Sequence, residues 1–376
     1  MRRILLLSVV ALALVGGVAL TQGGGLKIGL LYNLTGGLSS LDVPAQRGAL
    51  LACEQVNARG GVLGAPVECL TSDTQTDLVV VAQTAARFIE VDKVNVLTGY
   101  TDSDSGNAAG PVAQAAGIPF VTAGATDPFL PDRVGNYFFL APFGDNTQAF
   151  VEANFAYREL GARRAYALVD EQSIFTVNLD MFFEERWQAL GGEIVRRDSY
   201  STGDTDFSSY IANIRALNPP ADLIFISALP VEAGLTVRQI RAAGINTPII
   251  SGDGFDTELV DQTGASEVYF STHVSFENPR AEVQQFVADY QARYGVAPEN
   301  AFAALGYDAV NLILDAVTRA GSTDPAAIRD ALAATTGLAA VTGIIGYVPP
   351  SQVPAKSVTI IQITEGRRSF RFEGQP

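Results

Sequence analysis

Residues 99–128 read GYTDSDSGNAAGPVAQAAGIPFVTAGATDP, and this stretch decides the fold because it runs from one predicted strand through a helix to the next. Apolar strands are predicted over Val94–Leu97 and Pro119–Thr122, and hydroxyl residues follow each of them. Backbone N–H groups at a helix N-terminus have no intrahelical partner and carry the positive end of the helix dipole. We therefore expect Ser103 and Thr126 to open helices and to hold a small carboxylate. The alternative is that both residues only cap their helices.

The alternation of short apolar strands with longer helices continues on both sides of this stretch. It is typical of a parallel sheet that is covered by helices on both faces, so the predicted fold class is α/β. Because the pattern occurs twice, we expect two doubly wound parallel-sheet lobes. The other predicted strands are Lys27–Tyr32 and Val67–Thr71 in the first half, and Arg164–Val169, Glu193–Asp198, Asp222–Ser227 and Pro248–Ile250 in the second. Early helices are predicted over Arg47–Ala58, Leu78–Val91 and Ile211–Leu217.

Three later helices have no comparable strand between them and need a sheet to cover; they are Arg280–Tyr294, Ala301–Ala320 and Pro325–Ala334. We predict that they return to the first lobe, which then consists of residues 26–141 and 277–346. Residues 142–276 and 347–376 form the second lobe, which the last strand, Ser357–Ile363, joins. The chain therefore crosses between the lobes three times, and such a hinge allows them to close around a small molecule.

The composition restricts the class of ligand. The chain has 376 residues, which is enough for about two domains. Its 25 basic and 40 acidic residues give a formal net charge of −15. A surface of this sign repels nucleic-acid backbones and anionic membranes, so a small-molecule ligand is expected and nucleic acid is not.

The N-terminus has the pattern of an export signal. Arg2 and Arg3 precede an apolar stretch over Ile4–Leu20, and small residues that suit cleavage, Gly17 and Ala19, lie near its end. We expect residues 1–25 to be a signal peptide with a flexible start, and the protein to be periplasmic or extracellular. The alternative is an uncleaved membrane anchor. No later segment is expected to be both long and apolar enough to span a bilayer.

The two cysteines of the chain are Cys53, in the first predicted helix, and Cys69, in the second predicted strand. In an exported protein an isolated pair is more often bridged than free, so a disulfide is predicted. The alternative is two buried apolar thiols.

Motifs for catalysis are missing from the sequence. The chain contains one histidine, His273, in a strand-like run, where a structural role is the default. No GxSxG, HExxH or GxxxxGK[ST] motif occurs. Asp102, Asp104 and Gly106 have the spacing of a calcium loop, but its twelfth position is Ala113, where a bidentate Glu is required. We expect no enzyme activity, no metal and no cofactor.

Several segments together resemble one family of binding proteins. They are Ile28–Asp42 (IGLLYNLTGGLSSLD), Arg47–Glu68 (RGALLACEQVNARGGVLGAPVE), the stretch 99–128, Gly203–Ile211 (GDTDFSSYI), Val237–Gly244 (VRQIRAAG), Ser251–Gly254 (SGDG) and Ala303–Val310 (AALGYDAV). In this order they resemble the type I periplasmic substrate-binding proteins of ABC transporters, of the leucine/isoleucine/valine-binding protein family. The resemblance covers essentially the whole chain after the leader.

The resemblance implies a free amino acid held between the two lobes. Its carboxylate would be bound by Ser103 and Thr126 and by the backbone at Gly124 and Ala125. The acidic residue that binds the ligand ammonium in this family falls on Asp253. On sequence alone, the alternative for Asp253 is a solvated turn residue.

The side-chain pocket is expected to be apolar. The family usually has an aromatic residue where Leu41 stands, a Tyr at Phe175 and often a Tyr near Leu229. With Phe255 and Phe302, these positions suit an aliphatic or aromatic side chain, although core packing would also explain them. The neighbouring Asp102 and Asp104 are expected to face solvent or a basic residue.

The function that the resemblance implies is capture of a hydrophobic, branched-chain amino acid for the membrane permease of an ABC importer, by a monomer. The alternatives are an amide, urea-like or aromatic ligand, and a ligand-sensing lobe for a membrane receptor.

Overall fold

The structure is a computed structural model that describes residues 25–375, so all but the last residue of the predicted leader, residues 1–25, lies outside it. Two α/β lobes, each with one large sheet, make up the fold, which confirms the predicted fold class. The strands are β1 (Lys27–Tyr32), β2 (Glu68–Asp73), β3 (Val96–Gly99), β4 (Phe120–Thr122), β5 (Phe138–Leu140), β6 (Arg164–Asp170), β7 (Glu193–Tyr200), β8 (Leu223–Ser227), β9 (Ile249–Ser251), β10 (Val268–Thr272), β11 (Leu338–Ala340), β12 (Gly343–Ile345), β13 (Val358–Thr364) and β14 (Arg367–Gly374). The helices are α1 (Ser39–Ala58), α2 (Leu78–Glu90), α3 (Ser103–Ala116), α4 (Leu130–Val134), α5 (Asp145–Arg158), α6 (Ile174–Ala189), α7 (Ser208–Ala216), α8 (Pro230–Ala242), α9 (Glu258–Asp261), α10 (Ala281–Tyr294), α11 (Ala301–Ala320) and α12 (Pro325–Ala333).

The first lobe is built on a parallel sheet with the strand order β2-β1-β3-β4-β5. Helix α11, from late in the chain, packs on α1, β3 and β4 of this lobe. Two glycines make the close approach of α1 and α11 possible. A Cβ at Gly48 would lie 1.8 Å from the Ala303 carbonyl oxygen, and one at Gly306 would lie 1.9 Å from that of Ala45. The later helices therefore cover a face of the first sheet.

The second lobe is built on a sheet with the strand order β14-β13-β10-β9-β8-β6-β7. Its strands from β6 to β10 are parallel, whereas β13 runs antiparallel to β10, and β14 antiparallel to β13. The last strand that the sequence predicts is therefore followed by another, β14. The sequence pattern did not predict β14. This edge strand is mostly exposed, and its charged residues interrupt the apolar alternation.

Helix α1 begins at Ser39, eight residues before the predicted start at Arg47, and continues through Pro44. A proline inside a helix leaves the carbonyl four residues earlier without its usual N–H donor. That carbonyl belongs to Ser40, and the Asn300 side chain donates a hydrogen bond to it at 2.9 Å. A residue 260 positions later in the chain therefore compensates for the proline.

Cys53 on α1 and Cys69 on β2 form a disulfide in the structure, with Cα atoms 6.5 Å apart. The bridge joins the first helix to the edge strand of the first sheet. With a sequence separation of 16 residues, such a bridge stabilises the fold by about 3 kcal/mol in the chain-entropy model.

One expectation about membrane-spanning segments is wrong. Helix α11 is long and apolar enough, by length and composition, to cross a bilayer. Most of it is buried inside the first lobe, and its apolar residues form part of the hydrophobic core there. The composition of α11 therefore reflects its position in a protein core.

The chain crosses between the lobes after β5, after β10 and before β13. Two hydrogen bonds join the first and third crossings: Lys356 Nζ donates to the Ala141 carbonyl at 3.1 Å, and the Tyr347 hydroxyl donates to the Leu140 carbonyl at 2.9 Å. The lobe boundaries given from the sequence, at residues 141/142, 276/277 and 346/347, stay a prediction.

Candidate functional site

A small cavity of about 10 Å³ lies between the two lobes. Five residues line it from the first lobe, Leu38, Leu41, Thr101, Asp102 and Phe302, and four line it from the second, Phe175, Leu229, Asp253 and Gly254. They come from helix starts and from turns that follow strands, so they lie at the carboxyl edges of the two sheets. This edge is where open α/β sheets bind their ligands.

Most of the cavity wall is apolar. Of the apolar site residues expected from the sequence, Leu41, Phe175, Leu229 and Phe302 line the cavity together. Phe255 does not line it, and its side chain is fully buried in the hydrophobic core of the second lobe. The wall therefore offers a dry surface to an aliphatic or aromatic group.

Asp253 follows β9 in a 3₁₀ turn, Asp253–Phe255, and its side chain is only 3% exposed. Its Oδ1 accepts a hydrogen bond from Gln148 Nε2 at 3.2 Å, and its Oδ2 lies 2.9 Å from His273 Nε2. Gln148 also accepts from the backbone N–H of Asp253, at 3.2 Å. Asp253 is therefore a held, buried carboxylate on the cavity wall and not a solvated turn residue.

The expectation that Asp102 and Asp104 face solvent or a basic residue is wrong. Asp102 is buried and lines the cavity, and burial, together with the charge of Asp104, raises its pKa to about 6. It caps α3, because its Oδ1 accepts from the Ser105 N–H at 2.8 Å. Asp104 points to the second lobe, where it accepts from Ser173 Oγ at 2.8 Å. Capping of α3 stabilises Asp102, and the contact with the second lobe stabilises Asp104. These contacts take the place of solvent or a cationic partner.

The residues expected to bind a carboxylate lie beside the cavity lining. The Ser103 hydroxyl accepts a hydrogen bond from the Asp127 N–H at 3.2 Å, which brings it next to Thr126. The Ala125 N–H donates to the Thr122 hydroxyl at 3.0 Å. A Cβ on Gly124 would lie 2.8 Å from the Phe302 ring, so Gly124 packs directly against Phe302, a residue of the cavity wall, without lining the cavity itself. In this structure the two hydroxyl residues and the two backbone residues are grouped together, but they do not line the cavity.

The expectation that Thr126 opens a helix is wrong. The next helix, α4, begins at Leu130 and has five residues, with Phe129 in the cap position. Thr126 is instead 1% exposed, and its carbonyl accepts from the Asp145 N–H at 2.7 Å. Ser103 is the first residue of α3, but Asp102 provides its side-chain cap. Neither hydroxyl residue therefore serves as a helix cap.

A buried carboxylate supports the first-lobe side of the cavity. Asp42 is fully buried and accepts from the backbone N–H groups of Asn33 at 2.6 Å and Thr101 at 3.0 Å. Burial and the neighbouring charge of Asp102 raise the pKa of Asp42 to about 8, so this side chain holds a proton at neutral pH. Asp42 therefore fixes the backbone of Thr101, a residue that lines the cavity.

The cavity is acidic and contains no built-in counter-charge. Two carboxylates, Asp102 and Asp253, line it from opposite lobes, and none of the lining residues is Lys, Arg or His. A cavity of this kind favours a ligand that brings its own positive charge, because an uncompensated buried charge is costly. Within residues 25–375 no group of three His, Cys, Asp or Glu side chains is placed to hold a metal ion.

Sequence reasoning missed several residues of the site. Thr101 and Asp102 directly precede Ser103 in the sequence. The signal that could have identified Asp102 was a carboxylate next to a predicted anion site. Gln148, on α5, gave no signal, since its role depends on a contact 105 residues along the chain. The sequence singled out His273 as structural, and its contact with Asp253 is visible only in three dimensions.

Residues 25–368 match the sequence profile of a protein family that is described as 'periplasmic binding protein'. A leucine-, isoleucine-, valine-, threonine-, and alanine-binding protein of Pseudomonas aeruginosa is 26% identical over 328 residues, which are 86% of this chain and 85% of that protein. The structure of a leucine binding protein from Thermotoga maritima is similar, with a TM-score of 0.86 and 30% identity, over 93% of this chain and 99% of that one. A branched-chain amino acid transporter substrate binding protein from Streptococcus pneumoniae, in complex with isoleucine, gives a TM-score of 0.88 and 28% identity, over 94% and 100% of the two chains.

Proposed function

This chain belongs to the periplasmic binding protein family, and we propose that it captures a hydrophobic, branched-chain amino acid between its two lobes and delivers it to the permease of an ABC importer. One observation carries the proposal: an apolar cavity between the lobes is lined by a held, buried carboxylate, Asp253, and by no cationic residue. A ligand with one ammonium group and an aliphatic side chain fits both features.

The proposal assigns each charge of the ligand to one lobe. Asp253, on the second lobe, accepts the ammonium group, which supplies the counter-charge that the cavity lacks. The proposed carboxylate site on the first lobe is the pair of hydroxyl residues beside the cavity, Ser103 and Thr126. The neighbouring backbone N–H groups of Gly124 and Ala125 already donate to the Tyr100 carbonyl and the Thr122 hydroxyl. A zwitterion bound in this way ties the lobes together, so binding and closure form one equilibrium.

The names of the similar proteins support an amino-acid ligand, because the relatives from Pseudomonas and Thermotoga are described as binding leucine and the Streptococcus structure holds isoleucine. Membership of a periplasmic family supports export and a permease partner. The predicted signal peptide agrees with export, although it lies outside the described residues.

The substitution Asp253→Ala tests the proposal. A thermal-shift screen of the twenty amino acids identifies the ligand first, since a ligand that binds only the folded state raises the melting temperature. Calorimetry with that ligand should then show a loss of about 3 to 5 kcal/mol in Asp253→Ala, the usual range for a buried charge that loses its partner. The exposed Asp132, on α4, provides the matched control Asp132→Ala, which should bind like the wild type. Wild-type affinity in Asp253→Ala would refute the assignment.

A second candidate is a small amide without a free carboxylate. The observation that favours it is Asp102, a buried carboxylate on the cavity wall beside the proposed carboxylate site. An ionised Asp102 repels a ligand carboxylate and accepts hydrogen bonds from an amide. Adding short amides, such as leucinamide and acetamide, to the thermal-shift screen decides between the two classes. A larger shift with amides than with all free amino acids would favour the second.

A further inference from the structure

Among the described residues, His273 is the one basic side chain that hydrogen-bonds to a carboxylate of the cavity. It follows β10 directly, and its Nε2 lies 2.9 Å from Oδ2 of Asp253. The exposed fractions of the two side chains are 0% for His273 and 3% for Asp253. The contact is therefore a buried hydrogen bond, out of reach of screening by solvent.

Two aromatic rings hold the imidazole in place. Phe143 stacks on it with ring centroids 4.1 Å apart, and the Phe302 ring meets it edge to face at 5.8 Å. Phe302 also lines the cavity, so the imidazole lies directly behind the cavity wall. Gln148 holds the other carboxylate oxygen of Asp253, so both oxygens have a fixed partner.

The hydrogen-bond pattern assigns the proton of the neutral ring. The second ring nitrogen, Nδ1, is buried and has no hydrogen-bond partner among the described residues. An N–H at that place would lack an acceptor, so the neutral ring carries its proton on Nε2 and donates it to Asp253.

The charges around His273 come from two segments, the turn after β9 and the chain before β13. Burial lowers the pKa of His273 below its ordinary 6.5, and the positive charge of Lys356, before β13, acts in the same direction. The carboxylates of Asp253 and Asp256, after β9, act in the opposite direction. Burial and Lys356 therefore favour the neutral imidazole, whereas the two carboxylates favour its protonated form.

We propose that His273 is a positioning residue for the ammonium-binding carboxylate and that its protonation releases the ligand. The inference depends on the proposed function, in which Asp253 accepts the ligand ammonium. A neutral His273 orients Asp253 through Nε2–H and leaves the full negative charge of the carboxylate to the ligand. A doubly protonated His273 carries an Nδ1–H that lacks an acceptor among the described residues, which disfavours this form. Once formed, it presents its own positive charge to the same carboxylate and competes with the ammonium group.

Linkage determines the direction of the effect. Because the ligand binds the form with neutral His273 more tightly, its affinity falls as the pH drops through the titration of this ring, and ligand binding lowers the pKa of His273 in return. Asp102 also lines the cavity and also loses negative charge in mild acid, with a pKa of about 6. The experiment therefore has to separate the two residues.

The first arm of the experiment needs no ligand. His273 is the only histidine in the chain, so the ring resonance of untagged protein in an NMR spectrum is assigned without ambiguity. Its titration should have a midpoint below 6.5, and the substitution Asp253→Asn, which removes the neighbouring negative charge, should lower that midpoint further. A midpoint that Asp253→Asn leaves unchanged would overturn the positioning contact.

The second arm follows ligand affinity by calorimetry at pH 7.5 and pH 5.0. Wild-type affinity should fall roughly fivefold over this range, as expected when the pKa of His273 differs by about one unit between the free and the bound protein. His273→Gln keeps a donor but cannot take a second proton, so most of the fall should disappear. Asp102→Asn, which keeps a side chain suited to the helix cap, should retain the fall. His273→Leu removes the donor and should weaken binding roughly tenfold at pH 7.5.

The outcomes separate the two proposals. If His273→Gln retains the full fall, or if His273→Leu binds like the wild type at pH 7.5, the role of His273 is refuted while the proposed function stands. If the wild type binds no amino acid, the proposed function fails and pH-dependent release fails with it, whereas the NMR titration still decides whether His273 holds Asp253. Thermal unfolding of each variant identifies a loss of folding.

Discussion

At the scale of single residues, a buried carboxyl group close to Asp253 is neutralised by a proton and not by a cationic side chain. Glu152, on α5, is fully buried, and its Oε1 lies 2.7 Å from the Ser271 hydroxyl, whereas its Oε2 has no hydrogen-bond partner among the described residues. Burial, with a smaller contribution from the charge of Asp253, raises the pKa of Glu152 from 4.5 to about 8. Glu152 therefore holds a proton at neutral pH, which leaves Asp253 as the available negative charge on this side of the cavity.

The substitution Glu152→Gln should stabilise the protein in alkaline solution. Because the pKa of Glu152 is higher in the folded than in the unfolded protein, the wild-type free energy of unfolding falls as the pH rises from about 4.5 to about 8. Glutamine does not titrate, so the advantage of the variant should grow over this range and stay constant above it. Urea unfolding at pH 5, 7 and 9 measures this difference, which should exceed about 1 kcal/mol at pH 9. The exposed Glu282, on α10, gives the control Glu282→Gln. Parallel curves for Glu152→Gln and the wild type would contradict the buried, protonated carboxyl.

A glycine behind the cavity wall sets the position of an aromatic ring. A Cβ at Gly124 would lie 2.8 Å from two ring carbons of Phe302 and 3.0 Å from the Cα of Thr101. Both neighbours line the cavity, so any atom added at Gly124 must displace them toward the ligand.

Gly124→Ala should therefore weaken ligand binding more than it weakens folding. Overpacking of this kind costs about 1 to 3 kcal/mol, so we expect the dissociation constant measured by calorimetry to rise at least about fivefold. The control is Gly37→Ala, since a Cβ at Gly37 lies 3.9 Å from the nearest atom, on Val231, and fits without displacement. Equal affinities of the two variants would show that Phe302 does not contact the ligand.

At the scale of elements, a direct contact between α3 and α6 holds the two lobes together. Asp104, in the first turn of α3, accepts from the Ser173 hydroxyl at 2.8 Å and from the Ile174 N–H at 3.2 Å. These donors lie at the N-terminus of the 16-residue helix α6, where the helix dipole stabilises a negative charge. Phe129 stacks on Phe182 across the same boundary, with ring centroids 5.8 Å apart. Both contacts join the lobes, so they stabilise the arrangement of the lobes seen in this structure.

Asp104→Asn should speed ligand release. The neutral side chain loses the interaction with the α6 dipole, which contributes about 0.3 to 1 kcal/mol, so the dissociation rate measured by stopped flow should rise roughly twofold to fivefold. Asp132→Asn removes a charge that takes no part in this contact and should leave the rate unchanged. An unchanged rate in Asp104→Asn would mean that this contact does not contribute to closure.

At the scale of the whole molecule, three crossings of the chain form the hinge. Lys356, which is 3% exposed, joins two of them, through hydrogen bonds to the Ala141 carbonyl at 3.1 Å and to the Thr342 hydroxyl at 2.5 Å. His273 lies on the remaining crossing. Asp253 thus contacts the hinge directly, so a ligand bound at this carboxylate can influence the angle between the lobes.

Ligand binding should make the molecule more compact. If the cavity closes around an amino acid, small-angle X-ray scattering should show a smaller radius of gyration after the ligand identified in the screen is added. Asp253→Ala should not contract at the same ligand concentration. A radius of gyration that stays constant in the wild type, while calorimetry reports full occupancy, would refute closure as the response to this ligand.

Much of the fold follows from local patterns. The strand β1 begins and ends where the alternation predicts, and the helices α10 to α12 agree with their predicted bounds to within one residue. The prediction failed where distant residues override a local signal, as at Pro44, where Asn300 supplies the hydrogen bond to the Ser40 carbonyl. The site was predictable to the extent that the family resemblance assigns roles to single residues, as it does for Asp253, Leu41, Phe175 and Leu229. Thr101, Asp102, Gln148 and His273 carry no local signal of the same strength.

The sequence by itself determined the α/β alternation and the family, because periodicity, turn residues and motif order are local properties of the chain. Only the tertiary structure decided which carboxylates face the cavity, which are held by hydrogen bonds and which retain a proton. Burial and contacts between the two lobes set those properties, and they bring together residues such as Gln148 and Asp253, which are 105 positions apart.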